Sequence, residues 1–137
     1  MLGSKTSHTK VILIVDDEVE MLSLLELTLK RQGFVVLKAE NATMALELIR
    51  SLTPNLFILD LMMPGMDGFE LIQHIRAHPS TTKTPIIILS ARTDKESKDT
   101  ALRFGANLYL QKTSVPNGLV QEVHTLLQGE NETANLH

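Results

Sequence analysis

The sequence predicts an α/β domain in which a doubly wound, five-stranded parallel sheet carries five helices on its two faces. Three observations predict it. Short apolar runs alternate five times with segments of helical period, the pattern left by parallel strands joined through helical crossovers. Helix-stopping residues fall where the period changes: Gly33, Pro54, Pro79, Gly105 and Gly129 each follow a helical segment. Polar residues gather just beyond the apolar runs, on the edge where an open α/β sheet binds ligands.

In chain order, the first strand is Val11 to Val15, and Met21, Leu24, Leu25 and Leu29 mark the apolar stripe of the helix after it. The second strand runs from Phe34 to Ala39 and its helix carries Ala42, Ala45, Leu46 and Ile49. The third, Leu56 to Leu59, leads into a loop, Leu61 to Gly68, and a helix with Phe69, Leu71, Ile72 and Ile75. A fourth strand, Pro85 to Leu89, precedes a weaker helix over Lys95 to Phe104. The fifth, Leu108 to Leu110, precedes a helix with Leu119, Val123, Leu126 and Leu127 that stops at Gly129. Near-continuous Val, Ile and Leu in the first, third and fourth strands mark them as central and covered on both faces.

The chain of 137 residues suits one domain, placed at residues 10–128, with roughly two-thirds of the unfolded surface buried on folding. Residues 1–9 read as a flexible leader or artificial remnant, and 129–137 as a flexible tail or the start of a linker. A net charge of −3 without a basic cluster argues against direct nucleic-acid binding. The absence of cysteine excludes disulfides and thiolate chemistry and fits a reducing compartment. Apolar runs of strand length leave no membrane span, and the expected location is the cytoplasm.

Four of the five strand ends carry chemistry: Asp16 and Asp17 after the first, Asp60 after the third, Ser90 after the fourth, and Lys112 just past the fifth. Carboxylates gathered at one place raise one another's pKa unless a cation sits among them. Oxygen ligands without His or Cys suit a hard, hydrated divalent ion, which points to Mg²⁺. With Lys112 and the Ser90 hydroxyl added, the set can hold a tetrahedral oxyanion.

Taken together, Asp16-Asp17, the lone Asp60 with Met63-Pro64-Gly65-Met66-Asp67-Gly68 behind it, Ser90-Ala91 and Tyr109-Leu110-Gln111-Lys112 resemble the response-regulator receiver domain of two-component signalling, a CheY-like family. The likeness runs in order over Lys10 to Gln128. It implies a flavodoxin-like strand order 2-1-3-4-5 and a phosphorylatable signalling switch that assists its own phosphorylation and dephosphorylation without being an enzyme in the ordinary sense. By the same resemblance, Asp60 accepts the phosphoryl group from a kinase phosphohistidine. Asp17 and Asp60 ligate Mg²⁺ directly, Asp16 acts through water, and the backbone carbonyl of Met62 adds another oxygen. Lys112 pairs with the phosphoryl oxygens, while Ser90 is the switch hydroxyl and Tyr109 the aromatic that follows it. The output surface is the fourth helix, fifth strand and fifth helix. The implied partners are a sensor histidine kinase or phosphotransfer protein and a downstream effector, in a phosphorelay without membrane contact, and a phosphorylation-dependent homodimer is compatible with it.

The chain departs from the family pattern at four positions. Thr113 follows Lys112 where the family has a proline, often after a cis bond, and Ser114 stands at a commonly apolar position. Met62 and Arg92, each two residues beyond a site residue, occupy positions that tune dephosphorylation in the family.

Singly, these residues have plainer readings. Asp16-Asp17 alone reads as a helix N-cap, Lys112 as solvated surface, Ser90 as a cap of the turn before the fourth helix, and Tyr109 as a half-buried strand aromatic. The joint pattern outweighs them. His8, His74, His78, His124 and His137 lack ligand spacing and read as surface residues, and Asp67 reads as the N-cap of the third helix. Three other functions compete: a docking module of the same fold without phosphorylation, an aspartate-nucleophile phosphohydrolase, and a flavin binder. The hydrolase expects a second acid at position 62, which is Met, and Asp16-Asp17-Glu18 would repel a flavin phosphate.

Overall fold

Alternate residues of each central strand belong to opposite faces of one sheet, and this division organises the molecule. The structure, a computed structural model, describes residues 9–135. The elements are β1 (Val11–Val15), α1 (Val19–Lys30), β2 (Val35–Ala39), α2 (Ala42–Leu48), β3 (Leu56–Leu59), α3 (Gly68–Ala77), β4 (Ile86–Ser90), α4 (Lys95–Phe104), β5 (Leu108–Gln111), a 3-10 turn (Lys112–Ser114) and α5 (Asn117–Asn135). All strand pairs are parallel, in the order β2-β1-β3-β4-β5. Chain order turns back at β1, whose C-terminal end therefore lies between two diverging crossovers.

On one face Leu13, Val15, Phe57, Leu59, Ile86 and Ile88 pack with Ala42, Ala45 and Ile49, with Leu71, Ile72 and Ile75 of α3, and with Ala101 of α4. On the other, Ile12, Ile14, Leu56, Ile58, Ile87 and Leu89 pack with Leu22, Leu25 and Leu29 of α1 and with Leu119, Val123 and Leu127 of α5. The unbroken apolar runs of β1, β3 and β4 are thus what two covered faces require.

Two expectations are corrected. Leu24 is 43% exposed whereas Leu22 is 4% exposed. The buried stripe of α1 is Leu22, Leu25 and Leu29, at the i, i+3, i+7 spacing, and Leu24 falls beside it. The fifth helix does not stop at Gly129 but continues to Asn135. One glycine costs a propagating helix about 1 kcal/mol relative to alanine without ending it, and a Cβ on Gly129 would meet nothing within 4 Å. The leader placed at residues 1–9 lies outside the described residues save for Thr9, as do His8 and the last two residues of the expected tail.

Punctuation elsewhere follows local chemistry. Gly33 and Gly105 take φ of +92° and +121°, conformations that end α1 and α4 and that side chains disfavour. Asn41, Asp67 and Asp94 cap α2, α3 and α4 by accepting the N–H of Met44, Glu70 and Ser97. At the far end of the sheet, Arg76 of α3 donates to the carbonyls of Thr81, Thr82, Thr84 and Gly105 and to Asn107 Oδ1. This guanidinium ties the loop before β4 to the turn before β5. Among the described residues the cis peptide bond is Val115–Pro116, so the Lys112–Thr113 bond is trans.

Candidate functional site

The sheet itself positions the acidic residues. Asp16 extends β1 and its N–H donates to Ala39 O at 3.2 Å, while Asp60 extends β3 and its N–H donates to Val15 O at 2.9 Å. The parallel ladder thus carries one residue past each strand and holds both carboxylates at the same edge. Both are buried, at 2% and 5% exposed. The loop after Asp60 is folded tightly back: Gly68 N–H donates to Leu61 O at 2.9 Å. A Cβ on Gly68 would collide with the Asp60 carbonyl oxygen and stand 2.7 Å from Leu61 Cα, so the close approach that seats this loop requires glycine.

Lys112 joins the carboxylates from across the sheet. Its Nζ lies 3.0 Å from Asp16 Oδ2, 3.5 Å from Asp60 Oδ2 and 2.6 Å from Glu18 Oε1. Asp16 Oδ1 also accepts the Glu18 N–H at 2.9 Å, and Asp60 Oδ1 faces the Met62 N–H at 3.5 Å. Burial, and then the charge of Asp16, push the Asp60 carboxyl up to about 6, although Lys112 and the Met62 N–H oppose the shift. Burial likewise raises Asp16, against the Glu18 N–H and Lys112. Burial alone would lower Lys112, but hydrogen bonds to Glu18 and Asp16 and the charge of Asp60 outweigh it, so the pKa rises and the ammonium persists.

Asp16, Asp17 and Asp60 offer carboxylate oxygens that all lie within 4.8 Å of one another, with Asp17 the exposed member. Two buried acids with raised pKa beside an exposed one form an oxygen-only set whose charge is under-compensated. That chemistry fits a hard divalent cation. The plain reading of Asp16-Asp17 as an N-cap does not hold: the N-cap of α1 is Glu18, whose side chain makes no cap bond.

Ser90 and Tyr109 meet at the backbone of one residue, Arg92. Ser90 is fully buried and its Oγ accepts the Arg92 N–H at 3.1 Å. The Tyr109 hydroxyl donates to Arg92 O at 3.0 Å. The Arg92 guanidinium reaches Asp94 Oδ1 at 3.0 Å and Met62 Sδ at 3.7 Å, so positions 62 and 92 touch above the site. Asp94, not Ser90, caps α4, and the Ser97 hydrogen bonds together with Arg92 hold its carboxyl down at about 2.

Sequence reasoning thus named the acids, the lysine, the serine and the tyrosine. It missed the contact of Glu18 with Lys112 and the role of Arg92 as a node, because these partners stand 94 and 17 positions apart. Asp94 was findable as an Asp before a helical period. Beside Asp17 an open cleft of about 570 Å³ is lined by Asn41, Ala42, Met44, Pro64, Gly65 and Met66, leaving the acidic edge accessible.

The chain is similar to known proteins in sequence and in fold. The sequence pattern of the response regulator receiver domain matches residues 12–124. The phosphate regulon transcriptional regulatory protein PhoB of Pseudomonas aeruginosa is 35% identical over 119 residues, which are 87% of this chain and 52% of that protein. An uncharacterized 14.6 kDa protein of Leptolyngbya boryana is 41% identical over 112 residues, 82% of this chain and 86% of the relative. In structure, a putative response regulator from Chloroflexus aurantiacus superposes with a TM-score of 0.83 at 37% identity, covering 88% of this chain and 98% of that one. The chain spans about half the length of several curated relatives it matches, PhoB among them.

Proposed function

The chain belongs to the response regulator receiver domain family of two-component signalling, and from that membership we propose that Asp60 accepts a phosphoryl group and that Ser90 and Tyr109 relay its arrival to the α4-β5-α5 face. The observation that carries this reading is the convergence of Asp16, Asp60 and Lys112 at the sheet edge, with Lys112 Nζ within 3.5 Å of both acids.

The transfer balances simply. An Asp60 carboxylate oxygen attacks the phosphorus of a donor phosphohistidine, the O–P bond forms as the N–P bond breaks, and the histidine nitrogen keeps the electron pair and takes a proton from solvent. A carboxyl with a pKa of about 6 is mostly ionised near neutrality, so the nucleophile is available. Lys112 supports the charge on the transferring oxygens, and the buried carboxylates hold a geometry that needs little reorganisation. Asp16, Asp17 and Asp60 would hold Mg²⁺, with the Met62 carbonyl as a further oxygen; the ion supplies charge neutralisation for the acids and the phosphoryl oxygens.

The relay follows from shared partners. If the Ser90 hydroxyl turns to donate to a phosphoryl oxygen, its acceptance of the Arg92 N–H weakens, and the carbonyl of the same residue is the one that Tyr109 holds. A rotation there reaches Asp94, the cap of α4, through the Arg92 guanidinium. Phosphorylation would thus bias two states of one face, read by an effector, with a sensor kinase or phosphotransfer protein as donor. DNA binding, named for longer relatives such as the response regulator MtrA, is not proposed for this chain, whose net charge is −3. No helix among the described residues is long and apolar enough to cross a membrane.

Incubation with acetyl phosphate and Mg²⁺ tests the proposal: the intact mass rises by about 80 Da, one phosphoryl group, and Asp60→Asn abolishes the rise. A docking module without phosphorylation predicts no adduct in either protein.

A further inference from the structure

We infer that Glu18 is a positioning residue that holds Lys112 in a resting place and thereby slows phosphoryl acceptance at Asp60; the inference rests on the phosphoacceptor reading. Three carboxylates surround the one ammonium, and the shortest contact is to Glu18, at 2.6 Å, against 3.0 Å to Asp16 and 3.5 Å to Asp60. The lysine therefore sits nearest the acid that the transfer does not use.

The commitment of Glu18 to this contact has a second sign. Glu18 occupies the N-cap of α1 yet makes no cap hydrogen bond, and its side chain turns instead to a residue 94 positions away. It also stands outside the group of three acids able to share a cation, so a metal there would leave its charge facing the site. The backbone at Lys112 is held in a 3-10 turn, with the Val115 N–H donating to Lys112 O at 3.3 Å and Ser114 Oγ to Gln111 O at 2.8 Å. The ammonium at the end of the side chain contacts Glu18, Asp16 and Asp60.

To serve a phosphoryl group on Asp60, Lys112 must shift toward that acid and loosen its shortest contact. The Glu18 carboxylate also repels an anionic donor approaching the same edge. Its side chain is 64% exposed whereas that of Lys112 is 14% exposed, so Glu18 is the member free to swing into water. The competition is consequently modest and reversible, and it acts on rate rather than on the capacity to be phosphorylated.

The experiment compares phosphoryl uptake by intact mass over time, at fixed acetyl phosphate and Mg²⁺, in the wild type and in Glu18→Gln, Glu18→Asp and Glu20→Gln. Glu20 lies in the same first turn of α1 and makes the same change of net charge. Glu18→Gln is expected to speed uptake by about two- to fivefold, the range a partly exposed charge contact commands. Glu18→Asp keeps the charge and stays nearer the wild-type rate, and Glu20→Gln matches the wild type. A Glu18→Gln rate at or below wild type overturns the inference, as does equal acceleration by Glu20→Gln or by Glu18→Asp. A wild-type protein that takes up no phosphoryl group at all overturns the phosphoacceptor reading itself, and the inference with it.

Discussion

The Tyr109 hydroxyl donates to the carbonyl oxygen of Arg92, whose own N–H is held by the buried Ser90. One residue, Arg92, therefore links β5 to the end of β4 through its backbone, and its side chain links both to the cap of α4. Tyr109→Phe should leave phosphoryl uptake at Asp60 intact, because the hydroxyl touches no site carboxylate. It should instead shrink the phosphorylation-dependent change in amide hydrogen exchange over residues 92–97. An unaltered exchange difference in Tyr109→Phe would count against the relay.

The raised pKa of Asp60 has a sign that stability measurements can read. Its folded value of about 6 stands above the ordinary 3.8, so protonation favours the folded state. The favourable contribution is complete below the ordinary value and is lost as pH rises through about 6. Without metal, Asp60→Asn should therefore raise Tm more at pH 7.5 than at pH 5, where part of that contribution remains. Added Mg²⁺ should stabilise the wild type more at the higher pH, where its ligands are ionised. Thermal unfolding at the two pH values, with and without the ion, checks both signs.

Gly68 and Gly129 should respond oppositely to alanine. At Gly68 a Cβ meets backbone atoms of Asp60 and Leu61 that cannot swing away, and the change should cost about 1–3 kcal/mol by overpacking. At Gly129 the added methyl meets nothing within 4 Å, and a helix that continues should gain up to about 1 kcal/mol in propensity. Denaturant melts and the far-ultraviolet helical signal decide each case. Loss of helical signal in Gly129→Ala would contradict the continuation of α5.

Arg76 joins five acceptors at the end of the sheet opposite the site. Arg76→Met keeps much of the aliphatic stem but deletes every donor, and should destabilise by about 1.5–3 kcal/mol, the scale of hydrogen bonds to a charged group. Arg76→Lys should recover little, since one ammonium cannot reproduce the planar fork. Denaturation midpoints of the two variants test this. Phosphoryl uptake should be spared in whatever fraction remains folded.

Much of this was legible in the sequence because it depends on period and on strand ends. The runs at Val11, Leu56 and Ile86 became β1, β3 and β4 with end shifts of at most one residue, since a strand buried on both faces leaves an unbroken apolar signature. Asp60 was legible because a lone acid that ends such a strand has few structural uses. Leu22 and Leu24 were confused because hydropathy ranks them equally and only packing against the sheet distinguishes them. Arg92 was legible as a position flanking the site, but its contacts with Met62 and Tyr109, like that of Glu18 with Lys112, were not. Their roles consist of contacts with residues that the fold, not the chain, brings near.

Asp60, with Mg²⁺, is the proposed phosphoacceptor. Borohydride reduces an aspartyl phosphate to homoserine, so reduction after treatment with acetyl phosphate, followed by peptide sequencing by mass spectrometry, locates the group directly. Homoserine is expected at position 60, dependent on Mg²⁺ and absent from Asp60→Asn. Homoserine at Asp16 or Asp17 instead, or no reduced residue at all in a folded protein, would contradict it.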